Sequence, residues 1–264
     1  MIGIFDSGLG GLTVVKQFLK YLPQYRIMYF GDTANLPYGT KSRKAITNYS
    51  IKNTEFLIKQ RAKIIVIACH SASSVAALGL RKKFPQIPIF DVIKGGLTKA
   101  VKESKHKKIG IIGTAATIKS GVHEKFLKSL DPEIKVFSQA CPLLVPLIEE
   151  GFKARPETKR IVRYYLREMK SQFIDTLVLA CTHYPLLYKV FFEVLNKRVK
   201  IIDPAQEVAG EVLEFLKKNP KIEKQIERDS QKYKFFISDK PYRYEEFSQR
   251  ILGKKIKFKV VNLE

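Results

Sequence analysis

Short aliphatic runs recur along the chain, each followed by a turn rich in glycine, hydroxyl or acidic residues and then by a stretch with helical spacing. Runs at 1–5, 26–30, 64–67 and 87–90 predict four strands. Between them, helices are predicted up to about residue 21, with Leu12, Val15, Phe18 and Leu19 on one face, then over about 42–60 and 72–83. A second series starts near Ile93. Its strands are expected at 108–112, 134–137, 176–179 and 200–202, with helices after the 113–117 turn, over 157–169, and from Cys181 to about residue 196. Residues 141–151 form a mostly apolar segment ending in Glu149 and Glu150. After Asp203-Pro204 come a helix over 206–217, a charged surface stretch over 218–232, and a closing strand, helix and strand at 235–237, 242–252 and 258–261. Strands alternating with helices in this way predict an α/β protein with largely parallel sheets flanked by helices.

The composition changes this picture little. A chain of 264 residues, 45% hydrophobic, can bury one large core or two ordinary ones. Three cysteines do not make a disulfide framework. The first residues enter structure at once, without the charged and apolar regions of a signal peptide, and no apolar run is long enough to span a membrane. A reducing cytoplasm is therefore the expected location. The net charge of +23 raises nucleic acid as a partner, but the lysines and arginines are scattered and no nucleic-acid motif accompanies them. A solvated basic surface explains them, and it would also favour capture of a small anion.

The chemistry concentrates at strand ends. Two runs end alike: Ile64 to Ile67 leads into Ala68-Cys69-His70-Ser71, and Thr176 to Leu179 leads into Ala180-Cys181-Thr182-His183-Tyr184-Pro185. A thiol has a pKa of about 8.5, and a helix N-terminus or a nearby cation lowers it. Two such thiols on opposite sides of a carbon could remove a proton from one face and deliver one to the other, inverting a stereocentre. A redox pair would prefer Cys-x-x-Cys, which is absent. A metal site built from Cys69, His70, Cys181 and His183 stays open, although the spacing within each pair is short for metal ligands. A single cysteine nucleophile with His183 as base is a third reading. Asp6-Ser7-Gly8-Leu9-Gly10-Gly11 follows the first strand. It is neither a P-loop nor a dinucleotide fingerprint, but it places a carboxylate where open α/β sheets put ligand chemistry. Cys141 is expected to be buried and inert. His106 and His123 are expected at the surface, and Tyr184 and Tyr188 in packing roles.

These residues, together with Asp32-Thr33-Ala34-Asn35, Pro37-Tyr38-Gly39, Cys141-Pro142 through Glu149-Glu150-Gly151, and Ile202-Asp203-Pro204-Ala205, resemble glutamate racemase, a cofactor-independent member of the aspartate/glutamate racemases. The match runs in order to about residue 210. The resemblance implies interconversion of L- and D-glutamate, the D-form feeding peptidoglycan, cell-wall biogenesis and cell shape, with no cofactor and no metal. It implies two similar α/β lobes with the active site in the cleft between them, taken as 1–93 plus 206–264 and 94–205, and a homodimer. By position, Cys69 and Cys181 are the acid/base thiols, Asp6 the helper of Cys69, and His183 with Glu149 the helpers of Cys181, Glu150 being the rival to Glu149. Ser7, Pro37, Tyr38, Gly39, His70, Ser71, Thr117 and Thr182 would hold the substrate. His70-Ser71 stands where the family usually has Asn-Thr, which puts a bulkier, titratable donor beside the first thiol. Aspartate racemase activity, or a non-enzymatic binding protein on this scaffold, are the alternatives.

Overall fold

The computed structural model describes residues 1–228 and 233–263. Part of the charged stretch expected at the surface, residues 229–232, lies outside the described residues. The first series runs β1 (Ile2–Asp6), α1 (Leu12–Tyr21), β2 (Ile27–Gly31), α2 (Arg43–Lys59), β3 (Ile64–Ile67), α3 (His70–Lys83) and β4 (Ile89–Asp91). The second runs α4 (Lys94–Glu103), β5 (Lys108–Gly113), α5 (Ala115–Lys119), α6 (Val122–Leu130), β6 (Lys135–Ala140), α7 (Leu144–Glu149), α8 (Pro156–Ser171), β7 (Thr176–Ala180), α9 (Tyr188–Val194) and β8 (Lys200–Ile202). The chain closes with α10 (Pro204–Lys218), α11 (Pro220–Glu223), β9 (Lys234–Ile237), α12 (Tyr244–Leu252) and β10 (Lys259–Val260).

Two all-parallel sheets result. One has the order β10-β9-β2-β1-β3-β4 and the other β6-β5-β7-β8. The aliphatic runs suit strands covered on both faces. In β3, Ile64 and Val66 pack into one core, while Ile65 and Ile67 pack into another with α2 and α3. In β7, Leu177 and Leu179 point one way, and Val178 and Ala180 point toward α4 and α6. Fully burying each such side chain contributes about 1.5–3 kcal/mol, so the strand runs fix which face is which.

Helix starts are set by short polar side chains. Ser42 caps α2 by accepting from Ala45 N–H, and Thr114 caps α5 by accepting from Thr117 N–H. Asp203 caps α10 by accepting from Ala205 N–H at 3.0 Å, with Pro204 in the first turn. The Asp203-Pro204-Ala205 motif is thus a helix start.

One expected element differs. The segment after Cys181 is not a continuous helix. It forms a turn, a 3₁₀ turn at Tyr184–Leu187, and then the short α9. Pro185 has no N–H to give, which suits the first positions of such a turn and leaves α9 to start later.

Candidate active site

The carboxyl ends of β1, β3, β5 and β7 meet at one small cavity. It is lined by Ser7, Gly8, Leu36, Pro37, Tyr38, Gly39, Cys69, His70, Ser71, Thr114, Val145, Glu149, Ala180, Cys181, Thr182 and His183. Both expected thiols are therefore brought to one place, with nine more of the thirteen residues expected at the site. The other two, Asp6 and Thr117, sit just behind the wall. The cavity holds about 40 Å³, room for a water or two. Ligand pockets usually measure about 300–1,000 Å³, so it must widen before an amino acid can occupy it. Grooves of about 790 and 820 Å³ open elsewhere, but none of the expected residues lines them.

Cys69 occupies the N-cap position of α3, without a side-chain capping hydrogen bond, and donates its S–H to Ser7 Oγ at 3.5 Å. Its position at a helix N-terminus led to the expectation of a lowered pKa. The structure reverses this. Burial, reinforced by the charge of Asp6, pushes the thiol up to about 12, against the opposing pull of Ala72 N–H and Ser7. Cys69 therefore holds its proton in this closed site.

Asp6 is fully buried at the end of β1. Its carboxylate accepts from Gly8 N–H at 3.1 Å and from the Thr182 hydroxyl at 3.4 Å. Burial raises its pKa above the usual carboxylate range, and the nearby His183 charge partly offsets this. Among the described residues, Asp6 reaches Cys69 through its field and no direct hydrogen bond joins them.

Cys181 is arranged differently. It follows β7 but heads no α-helix, correcting the expectation for this second thiol. Its partner is His183, whose Nδ1 lies 4.0 Å from Sγ and whose Nε2 lies 2.9 Å from Glu149 Oε1. Burial alone would hold the imidazole down. Hydrogen bonds to Cys181 and Glu149, with their negative charge, lift it to about 10 instead. His183 is then an imidazolium, donating to Glu149 and toward the sulfur. Glu149, at the end of α7, makes this contact although it is itself partly open to solvent, and no such contact joins His183 to Glu150 among the described residues.

The supporting wall explains several sequence features. Thr13 Oγ1 lies 2.9 Å from both the Gly10 and Thr182 carbonyl oxygens, which share its one proton, tying the glycine-rich turn to the second cysteine loop. A Cβ on Gly10 would lie 2.4 Å from the His183 ring, so only glycine fits beneath it. Gly39 likewise abuts Thr114, with 2.6 Å for an added Cβ. Ser71 Oγ lies 2.8 Å from Thr114 Oγ1 and 3.2 Å from Thr117 Oγ1, a triangle of hydroxyls between α3 and α5. Thr114 was missed in the sequence; its signal was the strand-to-helix turn at Gly113. Tyr38 is buried, donating to Asp32 and accepting from Asn53 at 3.0 Å.

His123 was also misread. It is buried in the first turn of α6, with Nε2 3.4 Å from His70 Nδ1 and the two ring planes 28° from parallel. The i,i+4 spacing to the buried Leu127 was the available signal. Cys141 is fully buried outside the cavity, its S–H directed at Gln139 O at 3.7 Å, and burial raises its pKa. Among the described residues, no group of three or more metal-ligating side chains comes together, and no helix is long and apolar enough to cross a membrane.

The profile of the family described as Asp/Glu/hydantoin racemase matches residues 10–212. The glutamate racemase of Syntrophus aciditrophicus is 41% identical over 259 residues, covering 97% of this chain and 93% of that one. Among solved structures, a glutamate racemase isoform from Bacillus anthracis superposes with a TM-score of 0.92 at 35% identity, covering 100% of this chain and 97% of the other. The glutamate racemase of Francisella tularensis in complex with D-glutamate also gives 0.92, at 34% identity and the same coverage.

Proposed function

Since this chain belongs to the Asp/Glu/hydantoin racemase family and is an amino-acid racemase, we propose that it interconverts L- and D-glutamate with Cys69 and Cys181 as its two acid/base groups. The observation carrying this reading is the pair of thiols on one closed cavity, one holding its proton and the other beside an imidazolium. In one direction, the Cys181 thiolate takes the Cα proton, forming a Cys181 S–H bond as the Cα–H bond breaks. The Cα electron pair then takes the Cys69 S–H proton from the opposite face, leaving a Cys69 thiolate. The reverse direction uses the complementary protonation state. No net charge, electron or atom is gained, so the reaction needs no oxidant, reductant or co-substrate. His183, held by Glu149, stabilises a thiolate at Cys181. Ser7 and the field of Asp6 manage the proton at Cys69.

The substrate's polar groups would be held by the hydroxyls of Ser7, Ser71 and Thr182, by His70, and by the backbone of Pro37, Tyr38 and Gly39, with Thr117 steadying Ser71. The relative from Francisella tularensis carries D-glutamate, which supports the choice of substrate. The product D-glutamate would serve peptidoglycan in the cytoplasm. Residues 1–93 with 206–264 would form one lobe of the enzyme and 94–205 the other, in a homodimer.

The test is exchange in deuterated water. Each glutamate enantiomer is incubated with the protein and its Cα position followed by NMR, with circular dichroism tracking optical rotation. Deuterium should appear at Cα of the product enantiomer. Unlabelled, unconverted glutamate from both starting enantiomers would refute the proposal, and exchange with aspartate instead would reassign the substrate.

A further inference from the structure

His70 and His123 form a buried pair that the reaction does not use as acid or base. Both side chains are 4% exposed. His70 is the first residue of α3, and His123 the second of α6. The elements belong to different sheets, so the pair joins the two halves at the cavity wall. Nδ1 of His70 lies 3.4 Å from Nε2 of His123, and the rings meet edge to edge, with centroids 5.6 Å apart and planes 28° from parallel. His70 also lines the cavity. With Nδ1 committed to His123, Nε2 is the nitrogen left to face it.

The proton positions can be argued from the far nitrogen. His123 Nδ1 is buried and has no hydrogen-bond partner among the described residues. A buried N–H without an acceptor is the rarer and costlier defect, and a bare ring nitrogen the milder one. Burial holds both imidazoles well below their ordinary pKa, with His123 adding to the effect on His70, so both rings are neutral. Among the described residues, Asp91 is the charged group whose field bears on His123, and its own carboxylate is engaged by Arg81 and by Ile93 N–H. In a neutral ring with bare Nδ1, the proton sits on Nε2. His123 then donates to His70 Nδ1, and His70 must carry its own proton on Nε2.

We propose that His123 is a positioning residue that locks His70 in the tautomer presenting an Nε2–H donor to a carboxylate of the substrate. This rests on the reading of the cavity as a glutamate site. It gives the departure at His70 a function: a fixed donor where a free imidazole could equally offer a lone pair, which repels a carboxylate.

Three measurements test it. Two-bond proton–nitrogen spectra of the substrate-free protein at neutral pH should show Nε2–H tautomers at both His70 and His123; Nδ1–H at His123 overturns the proposal whatever the enzyme's activity. In kinetics, His123→Phe keeps a ring but no donor. It should raise KM for both enantiomers about tenfold with kcat within about threefold, the pattern of lost uniform binding. His123→Gln, whose amide nitrogen reaches the Nε2 position, should restore KM to within about threefold. The double variant His70→Phe/His123→Phe should bind no worse than His70→Phe alone. Unchanged KM in His123→Phe, failure of the Gln rescue, or multiplied effects in the double variant each overturn the proposal. A wild-type protein inactive on glutamate refutes the substrate assignment, while the tautomer spectra still decide the proton positions.

Discussion

Gly10→Ala probes how tightly the Cys181 side of the site is built. The new methyl would lie 2.4 Å from His183 Cε1 and Nδ1 and 2.6 Å from Thr182 Oγ1. Non-bonded carbon contacts settle at about 3.5–4.0 Å, so something must move by about 1 Å. The neighbours have little freedom. His183 is held by Glu149 and packs against Phe247, and Thr182 is held by Thr13 and Asp6. A misplacement of about 1 Å in a catalytic group costs on the order of 10²-fold in rate, or about 2.7 kcal/mol of transition-state stabilisation. Overpacking should cost a further ~1–3 kcal/mol of stability. The assay is racemisation followed polarimetrically from each enantiomer, with thermal unfolding alongside. Enantiomers have equal free energy, so kcat/KM must fall equally in both directions. Gly79→Ala and Gly210→Ala are the controls: nothing lies within 4 Å of either new methyl. Both glycines sit inside helices, so alanine should stabilise by ~0.5–1 kcal/mol and leave turnover unchanged. Wild-type turnover in Gly10→Ala would refute the argument that His183 is fixed by contact with the glycine turn.

Cys69→Ser and Cys181→Ser should each abolish racemisation, since a serine hydroxyl is far too weak an acid to replace either thiol; normal turnover by either variant sinks the two-base mechanism. Cys141→Ala should retain turnover within about threefold, because the side chain lies outside the cavity; a collapse in a variant that still folds would show a role for it. Glu149→Gln removes a negative partner of His183 and should lower the imidazole pKa from about 10, observable by titrating the ring proton signals; an unshifted titration would remove Glu149 from the network. Stability should also respond to His123, whose pKa is about 4 in the folded protein and about 6.5 in the unfolded chain. Its contribution is complete above pH ~6.5 and is lost as pH falls toward 4, amounting to about 3 kcal/mol at one pKa unit per 1.36 kcal/mol. Denaturant unfolding of His123→Gln should therefore show a shallower loss of stability over that range than wild type, and parallel curves would contradict the burial argument.

The parts of this molecule that were readable from sequence share a cause. Strands such as Ile64 to Ile67 are local, covered on both faces, and announce themselves by composition alone. The two Ala-Cys turns were readable because the same aliphatic run precedes each. What escaped depended on contacts between distant segments. Nothing near Cys69 in sequence shows that burial overrides its helix N-terminus. His123 seemed a surface residue because its partner, His70, belongs to the other sheet. Thr114 reads in sequence only as part of the turn after β5, and its contact with Ser71 exists only where α3 meets α5. The turn after Cys181 was misread because an apolar stretch containing proline was counted as helix.

The order of the first sheet has a consequence for synthesis on the ribosome. Strands β1 to β4 emerge early, and the whole second sheet follows within 108–202. Yet one side of β2 stays unpaired until β9 arrives, since Met28 to Gly31 bond to Lys234 to Ile237. At about 5–20 residues per second, the nascent chain carries that edge open for roughly 10 to 40 s. The exposed strand is apolar, with Met28, Tyr29 and Phe30 on its two faces, the kind of edge that recruits other chains. Translation speed between β2 and β9 therefore bears on yield, and a chain cut before β9 would keep the edge permanently available for aggregation.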